Sequence, residues 1–195
     1  MTAWLVTFYP LFVGVLFLTI LVVNNITATR PRQVLTRHAL DERIPFVPMF
    51  AVPYFSAYLL GNGAYLFLRH DEHFPSIMLG YLIIYLVSNA SYLLIPSRVE
   101  RRERLAERTT STYLISRFQA VSKPFNNFPS MHVSYCLYSA LTVVYYTGTP
   151  WALGLLAWAG LVACSTLLTK QHHLLDVGAG ALLGTTAFSI VLMVV

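Results

Sequence analysis

Residues 151–195 read WALGLLAWAGLVACSTLLTKQHHLLDVGAGALLGTTAFSIVLMVV. Two apolar runs, 151–169 and 174–195, are separated only by the polar link KQHH. A helix crosses a bilayer with roughly 20 mostly apolar residues, and its backbone groups are all satisfied within the segment. Both runs meet that length. A link of this size forces the two helices to lie antiparallel, side by side. Working outward, residues 4–23, 49–68, 74–95 and 131–146 supply four more apolar runs. RHDEH joins the second to the third, and TGTP joins the fourth to the fifth. The predicted fold is all-α: an integral membrane six-helix bundle forming a single domain over 1–195.

Composition supports this reading. The chain is 56% hydrophobic and only 11% charged, against roughly 25% charged in an ordinary soluble domain. A water-soluble fold of this size has too much surface to hide so much apolar area, which excludes soluble enzymes and nucleic-acid binders. The formal charge is +5, and its basic residues sit in loops beside the apolar runs. Anionic lipid headgroups or phosphate-bearing substrates are the expected partners. Cys136 and Cys164 lie inside apolar runs and read as small core residues. The opening MTAWLVTFYP lacks a basic n-region, so the first run is expected to be a retained helix.

Six crossings place the long connections, 24–48 and 96–130, on the same face as KQHH. Within the second, SRVERRERLAER (97–108) predicts a solvated amphipathic helix, with Arg and Glu paired at three- and four-residue spacing. Tyr9, Tyr92, Tyr145, Tyr146 and Trp151 fall near helix ends, where amphipathic rings favour the interface. Gly178, Gly180 and Gly184 predict close helix packing, and Pro10 and Pro53 predict kinks.

Topology brings two polar stretches to one membrane depth. FNNFPSMH (125–132) leads into the fourth helix, and STLLTKQHHLLD (165–176) links the fifth to the sixth. Together they gather His132, His172, His173 and Asp176. A carboxylate in an apolar helix is costly and usually functional. Asp176 has His172 four residues before it, and residues four apart share a helix face. Asp176 can then hold one ring nitrogen of His172 and leave the other free for a substrate, the orienter–nucleophile arrangement of a triad. Ser130 is a candidate helix cap. The backbone donors beside it form a natural phosphate seat. His132, in the first turn, is placed to protonate a leaving oxygen.

These residues resemble motifs of the type 2 phosphatidic acid phosphatase superfamily. Pro129-Ser130-Met131-His132 is similar to the family's Pro-Ser-x-His motif, and Ser165, His172 and Asp176 fall in register with its Ser-Arg-x5-His-x3-Asp motif. The resemblance implies six helices and metal-independent transfer through a phosphohistidine. It implies His172 as nucleophile, Asp176 as its orienter, and His132 as acid and then base. The substrate implied is a membrane lipid phosphate or diphosphate, with water or an alcohol as acceptor and no cofactor. Two departures stand out. Thr166 occupies the place of the motif's arginine, and no stretch fits the first motif, Lys-x6-Arg-Pro. Lys170, Lys123, Arg98 and Arg101 are the cations expected to take over phosphate binding. Arg101 and Arg108 have a suitable spacing, but Thr109 follows Arg108. This pattern, and the segment DERIPFVPMFAVPY (41–54), look more like the phosphotransferase branch that makes inositol phosphorylceramide.

Other readings stay open from the residues alone. Two histidines and a carboxylate can bind zinc, although the adjacent His172 and His173 would diverge on a helix. An intramembrane acid also serves proton paths in transporters. Sidedness is contested. All basic residues except Arg69 lie on the proposed site's face, which the positive-inside rule would make cytoplasmic. The resemblance implies a site facing outward from an inner or plasma membrane, and that is the expectation adopted.

Overall fold

The computed structural model describes residues 2–30, 33–101 and 109–194. The chain is helical almost throughout, with elements α1 (Thr2–Ala28), β1 (Val34–Leu35), α2 (Ala39–Arg43), α3 (Ala51–Gly61), α4 (Gly63–Leu68), α5 (Phe74–Leu94), β2 (Ser97–Arg98), α6 (Thr110–Val121), α7 (Met131–Thr147), α8 (Leu153–Leu168) and α9 (Leu174–Val194). Among the described residues, four segments are long and apolar enough to cross a membrane: Thr7–Ala28, Phe74–Leu94, Pro150–Leu168 and Leu174–Val194. The expected fourth span is the 17-residue α7. The expected second span is two helices, α3 and α4, which break at Asn62.

The break has a local cause. Gly61 and Gly63 flank Asn62, and glycine is a poor helix former. The freed Ala64 N–H donates to Ser139 Oγ of α7 at 2.8 Å, while Asn62 Oδ1 accepts from Tyr9 Oη at 2.6 Å. The Tyr9 ring stacks on Tyr65 with centroids 3.9 Å apart. Tyr9 is therefore buried and fastens α1 to α4, and Tyr92 is buried too. Tyr145 and Trp151 are exposed at helix ends, as expected. Pro53 sits in the first turn of α3, where its missing N–H has no helical acceptor to lose, so it starts a helix. Pro10 lies inside α1.

Helix α7 is the hub, packing against α9, α8, α3, α4 and α5, whereas α1 leans on α5. Tyr138 of α7 is fully buried. Its hydroxyl donates to the Ile77 carbonyl at 2.6 Å. Leu11, Val15, Leu18, Val22 and Ile26 of α1 are exposed at the three- and four-residue spacing of one helix face, the surface a lipid-facing helix presents. Cys136 is buried, Cys164 is exposed, and both are free thiols.

The described parts of the two long connections pair with each other. Their strands β1 and β2 pair in parallel, Val34 with Ser97 and Leu35 with Arg98. The amphipathic helix expected over 97–108 begins instead as this strand, and its remainder, 102–108, lies outside the described residues. Among the described residues of that connection, the helix is α6, opened by a Thr109–Thr112 capping box.

Candidate active site

The site grows from how α8 stops. Lys170 adopts a left-handed backbone, φ 56°. Its N–H donates to the Leu167 carbonyl at 3.0 Å, and the Gln171 N–H donates to Thr166 at 2.9 Å. That pair of bonds is a Schellman ending with Lys170 in the position glycine usually fills. The His172 N–H also donates to the Thr166 carbonyl, at 3.1 Å. His172 thus lies in the turn, two residues before α9, and not on a shared helix face with Asp176. Asp176 is the third residue of α9 and reaches back to the His173 N–H, 2.8 Å from Oδ2, one half of a capping box. The same oxygen lies 3.6 Å from His172 Nδ1, beyond hydrogen-bond reach. His172 Nδ1 and Asp176 Oδ1 are buried without partners.

Helix α7 delivers His132 through glycine contacts with α9. A Cβ built on Gly180 would lie 2.5 Å from the Ser130 carbonyl oxygen, and one on Gly184 would lie 2.7 Å from that of Ser134. Only bare backbone permits this approach, the close packing expected of those residues, whereas Gly178 faces open space. The Ser130 N–H donates to the Asp176 carbonyl at 2.9 Å. Ser130 occupies the N-cap position of α7, but its side chain makes no cap bond, and Oγ is buried and unpartnered. The preceding loop is tied down by Tyr92 Oη on the Pro129 carbonyl at 3.0 Å, Ser91 Oγ on that of Phe128 at 3.0 Å, and Asn127 Nδ2 on that of Gln171 at 3.1 Å. The result places the His132 and His172 rings 5.6 Å apart, edge to face, with His132 also against Tyr54 at 4.9 Å. His132 Nδ1 is buried and has no partner.

The expected cations separate into two groups. Arg101 comes to the histidines. Its Nη1 donates to the Ser122 carbonyl at 2.5 Å and its plane lies over Phe118, while Nε is buried and unpartnered. Burial pushes its guanidinium below the ordinary value. The others are held by loop partners or exposed, though Lys123 shares a cavity with His132 and His172, and Lys170 shares another with His172. Lys170 Nζ donates to the carbonyls of Asp41 and Ile44, at 2.9 and 2.5 Å, and burial lowers its ammonium pKa despite the opposing Asp41 carboxylate. Lys123 Nζ donates to Asn25 Oδ1 at 2.7 Å. Arg98 is exposed. Ser165 Oγ is spent on the Val162 carbonyl of its own helix.

His172 and Arg101 stand between two cavities. One, of about 870 Å³, runs between α1, α3 and α7 and is walled by apolar and aromatic side chains such as Phe12, Leu16, Ile20 and Tyr58, with His132 on its wall. The other, of about 360 Å³, is polar and includes Arg37, Glu100, Lys170 and His173. His173 turns away from His132: its Nδ1 is 2.9 Å from Thr36 Oγ1. Burial holds its imidazole below the ordinary pKa, against the pull of Asp176 and Asp41. Among the described residues, no group of three or more His, Cys, Asp or Glu side chains is arranged to hold a metal ion.

Residues 76–195, which contain both histidine motifs, match the PAP2 superfamily. The chain belongs to the PAP2 superfamily. Its fold is similar to that in the crystal structure of Aquifex aeolicus LpxE, with a TM-score of 0.53 over 88% of this chain and 91% of that one. Sequence identity there is 18%, so the likeness is one of fold. No curated protein sequence matches the chain. This PAP2 member is a membrane protein, and its family supports phosphatase chemistry on a lipid-borne phosphate.

Sequence reasoning missed Asp41 and Thr36, which hold the turn carrying His172. Asp41 sits among the charges of a loop, and no spacing marks it out.

Proposed function

We propose that this protein moves a phosphoryl group from a membrane lipid phosphate, without a divalent metal, through a phosphohistidine at His172. The reading rests on one observation: the His132 and His172 rings, 5.6 Å apart, both have buried unpartnered nitrogens and both line the long apolar cavity. The lipid chain would occupy that cavity and present its phosphate at the histidines. Arg101, with its open Nε, and the first-turn N–H groups of α7 would hold the phosphoryl oxygens.

In the first step Nε2 of His172, the nitrogen that does not face Asp176, attacks phosphorus, and the bond from phosphorus to the lipid oxygen breaks. Protonated His132 gives its proton to that oxygen. Asp176 closes the 3.6 Å gap to Nδ1 as the imidazolium forms and stabilises it. In the second step neutral His132 takes a proton from water, the oxygen attacks phosphorus, and the phosphorus–nitrogen bond breaks. The six apolar segments would all cross the membrane in one domain, with the site facing outward. A tag at Val195, tested for accessibility in intact cells, checks that orientation.

Transfer to an alcohol is the second reading. The polar cavity beside His172 favours it, because three cations (Arg37, Arg101, Lys170) and three carboxylates (Asp41, Glu42, Glu100) line it. A charge-balanced wall suits a hydroxyl-bearing acceptor better than a second anion. The deciding experiment is rapid quench of purified protein in chelator with a phosphorus-labelled lipid phosphate. Acid-labile, base-stable label on His172 is expected. Full turnover by His172→Ala, or activity lost to chelator and restored by a metal, would refute the mechanism.

A further inference from the structure

We infer that Asp41 and Lys170 form a reciprocal clamp that positions His172, and that Lys170 serves this clamp and is not a phosphate ligand. The inference deepens the proposed phosphohistidine reading and rests on it.

The two residues exchange partners between the first long connection and the α8–α9 turn. Asp41 is an acid only 6% exposed. A buried carboxylate is tolerated only when its oxygens are satisfied. Oδ1 accepts from the Leu174 N–H at 2.8 Å, and Oδ2 accepts from the His38 N–H at 2.7 Å. Leu174 is the first residue of α9, so Asp41 supplies from outside an acceptor for its N–H, next to the His173 N–H that Asp176 takes, and its negative charge suits a helix N-terminus. In return, Lys170 Nζ binds the carbonyls of Asp41 and Ile44, where α2 ends. Two further bonds run beside the exchange, Thr36 Oγ1 with His173 Nδ1 at 2.9 Å and the Val47 N–H to the Leu168 carbonyl at 2.9 Å.

His172 lies between the two anchor points, Lys170 before it and Leu174 after it. Among the described residues, no hydrogen-bond partner holds its ring at Nδ1. Its position therefore depends on the turn, and the turn depends on the clamp. The identity of Lys170 points the same way. A left-handed backbone disfavours every residue but glycine, so a lysine at this position points to a use for its ammonium. That ammonium spends two of its three donors on carbonyl oxygens, which ties it to the end of α2. The clamp also explains why the DERIPFVPMFAVPY segment carries an acid: Asp41 is its first residue.

The test uses full-length protein in detergent with Lys170→Met, Lys170→Gly, Lys170→Arg, Asp41→Ala and the Lys170→Met/Asp41→Ala double variant. Turnover, KM, inhibition by inorganic phosphate and the ring-nitrogen NMR signals of His172 are measured together. Misplacing a reacting group by about 1 Å costs on the order of a hundredfold. Lys170→Met and Asp41→Ala are each expected to lower kcat about 10- to 100-fold, with KM and the phosphate inhibition constant changed less than about threefold. Residues acting as one unit are non-additive, so the double variant should be little worse than either single one. Lys170→Gly suits the left-handed turn and keeps the fold, yet it should lose as much kcat as Lys170→Met. Lys170→Arg should recover most of it. All variants except Lys170→Arg should shift the His172 ring signals. A Lys170→Gly protein with wild-type kcat and unshifted His172 signals would overturn the clamp. So would a Lys170→Met protein whose losses fall on KM and phosphate inhibition. If wild-type protein forms no phosphohistidine, the proposed function fails, while the ring signals still report on the clamp.

Discussion

Gly180 of α9 lies against the carbonyl of Ser130, so close that an added Cβ would stand 2.5 Å from its oxygen. This contact sets the spacing between the helix that brings His132 and the helix that follows His172. The neighbour is backbone and cannot rotate away. Gly180→Ala is expected to cost about 1–3 kcal/mol through overpacking, to lower the melting temperature in detergent, and to reduce turnover more than tenfold. Gly178→Ala, facing open space, should leave both unchanged. Equal behaviour of the two variants would show that the contact does not control the site.

His132 is expected to act on the leaving oxygen. His132→Ala should slow turnover of a lipid phosphate by roughly a hundredfold or more. A substrate with an activated phenolic leaving group should regain much of that loss, because such a group departs without a proton. His172→Ala should gain nothing from it. Comparing both substrates across both variants separates the roles, and equal losses on the two substrates for His132→Ala would remove it as the acid.

Arg101 lines both cavities with His172 and shares the larger one with His132. Arg101→Ala is expected to raise KM and lower kcat, for a combined loss of about a hundredfold in kcat/KM. Arg101→Lys should recover little, since a lysine cannot reproduce the planar fork held by Ser122 and Phe118. Arg98→Ala, at an exposed strand position, should behave as wild type. Steady-state kinetics on the three variants check the assignment.

The buried His173 predicts a sign for pH dependence. Its pKa is depressed in the folded protein, mainly by burial, whereas an unfolded histidine titrates near about 6.5. Between those values the unfolded chain binds more protons, so stability rises with pH. The contribution is present above about 6.5 and is lost as pH falls toward the folded value. Melting temperatures measured from pH 8 down to 5 should fall on the acid side, and His173→Gln should flatten that fall. An unchanged slope in the variant would assign the effect to other groups.

Tyr92 reaches from α5 to the Pro129 carbonyl at 3.0 Å, bracing the loop that leads to His132. Tyr92→Phe should cost about 1 kcal/mol, visible as a small drop in melting temperature, with kcat reduced severalfold and KM unchanged. An effect on KM alone would place Tyr92 in substrate contact instead.

The sequence by itself determined that the chain is an all-helical membrane protein and that its two histidine motifs come together. Apolar run length and link length are local quantities, and bilayer thickness converts them directly into topology. The sequence marked Gly178, Gly180 and Gly184 for close packing, and the structure uses the last two, while Gly178 faces open space. Only the tertiary structure decided the rest. Periodicity placed His172 and Asp176 on one helix, whereas a left-handed Lys170 ends α8 and leaves His172 in the turn. Four cations were interchangeable in sequence, because a long basic side chain can swing toward many partners. Packing set Arg101 on the wall of both cavities and gave Lys170 to two carbonyls. Asp41 was indistinguishable from a solvated loop acid until α9 was folded against it, because its partner, the Leu174 N–H, is a backbone group that every residue but proline carries.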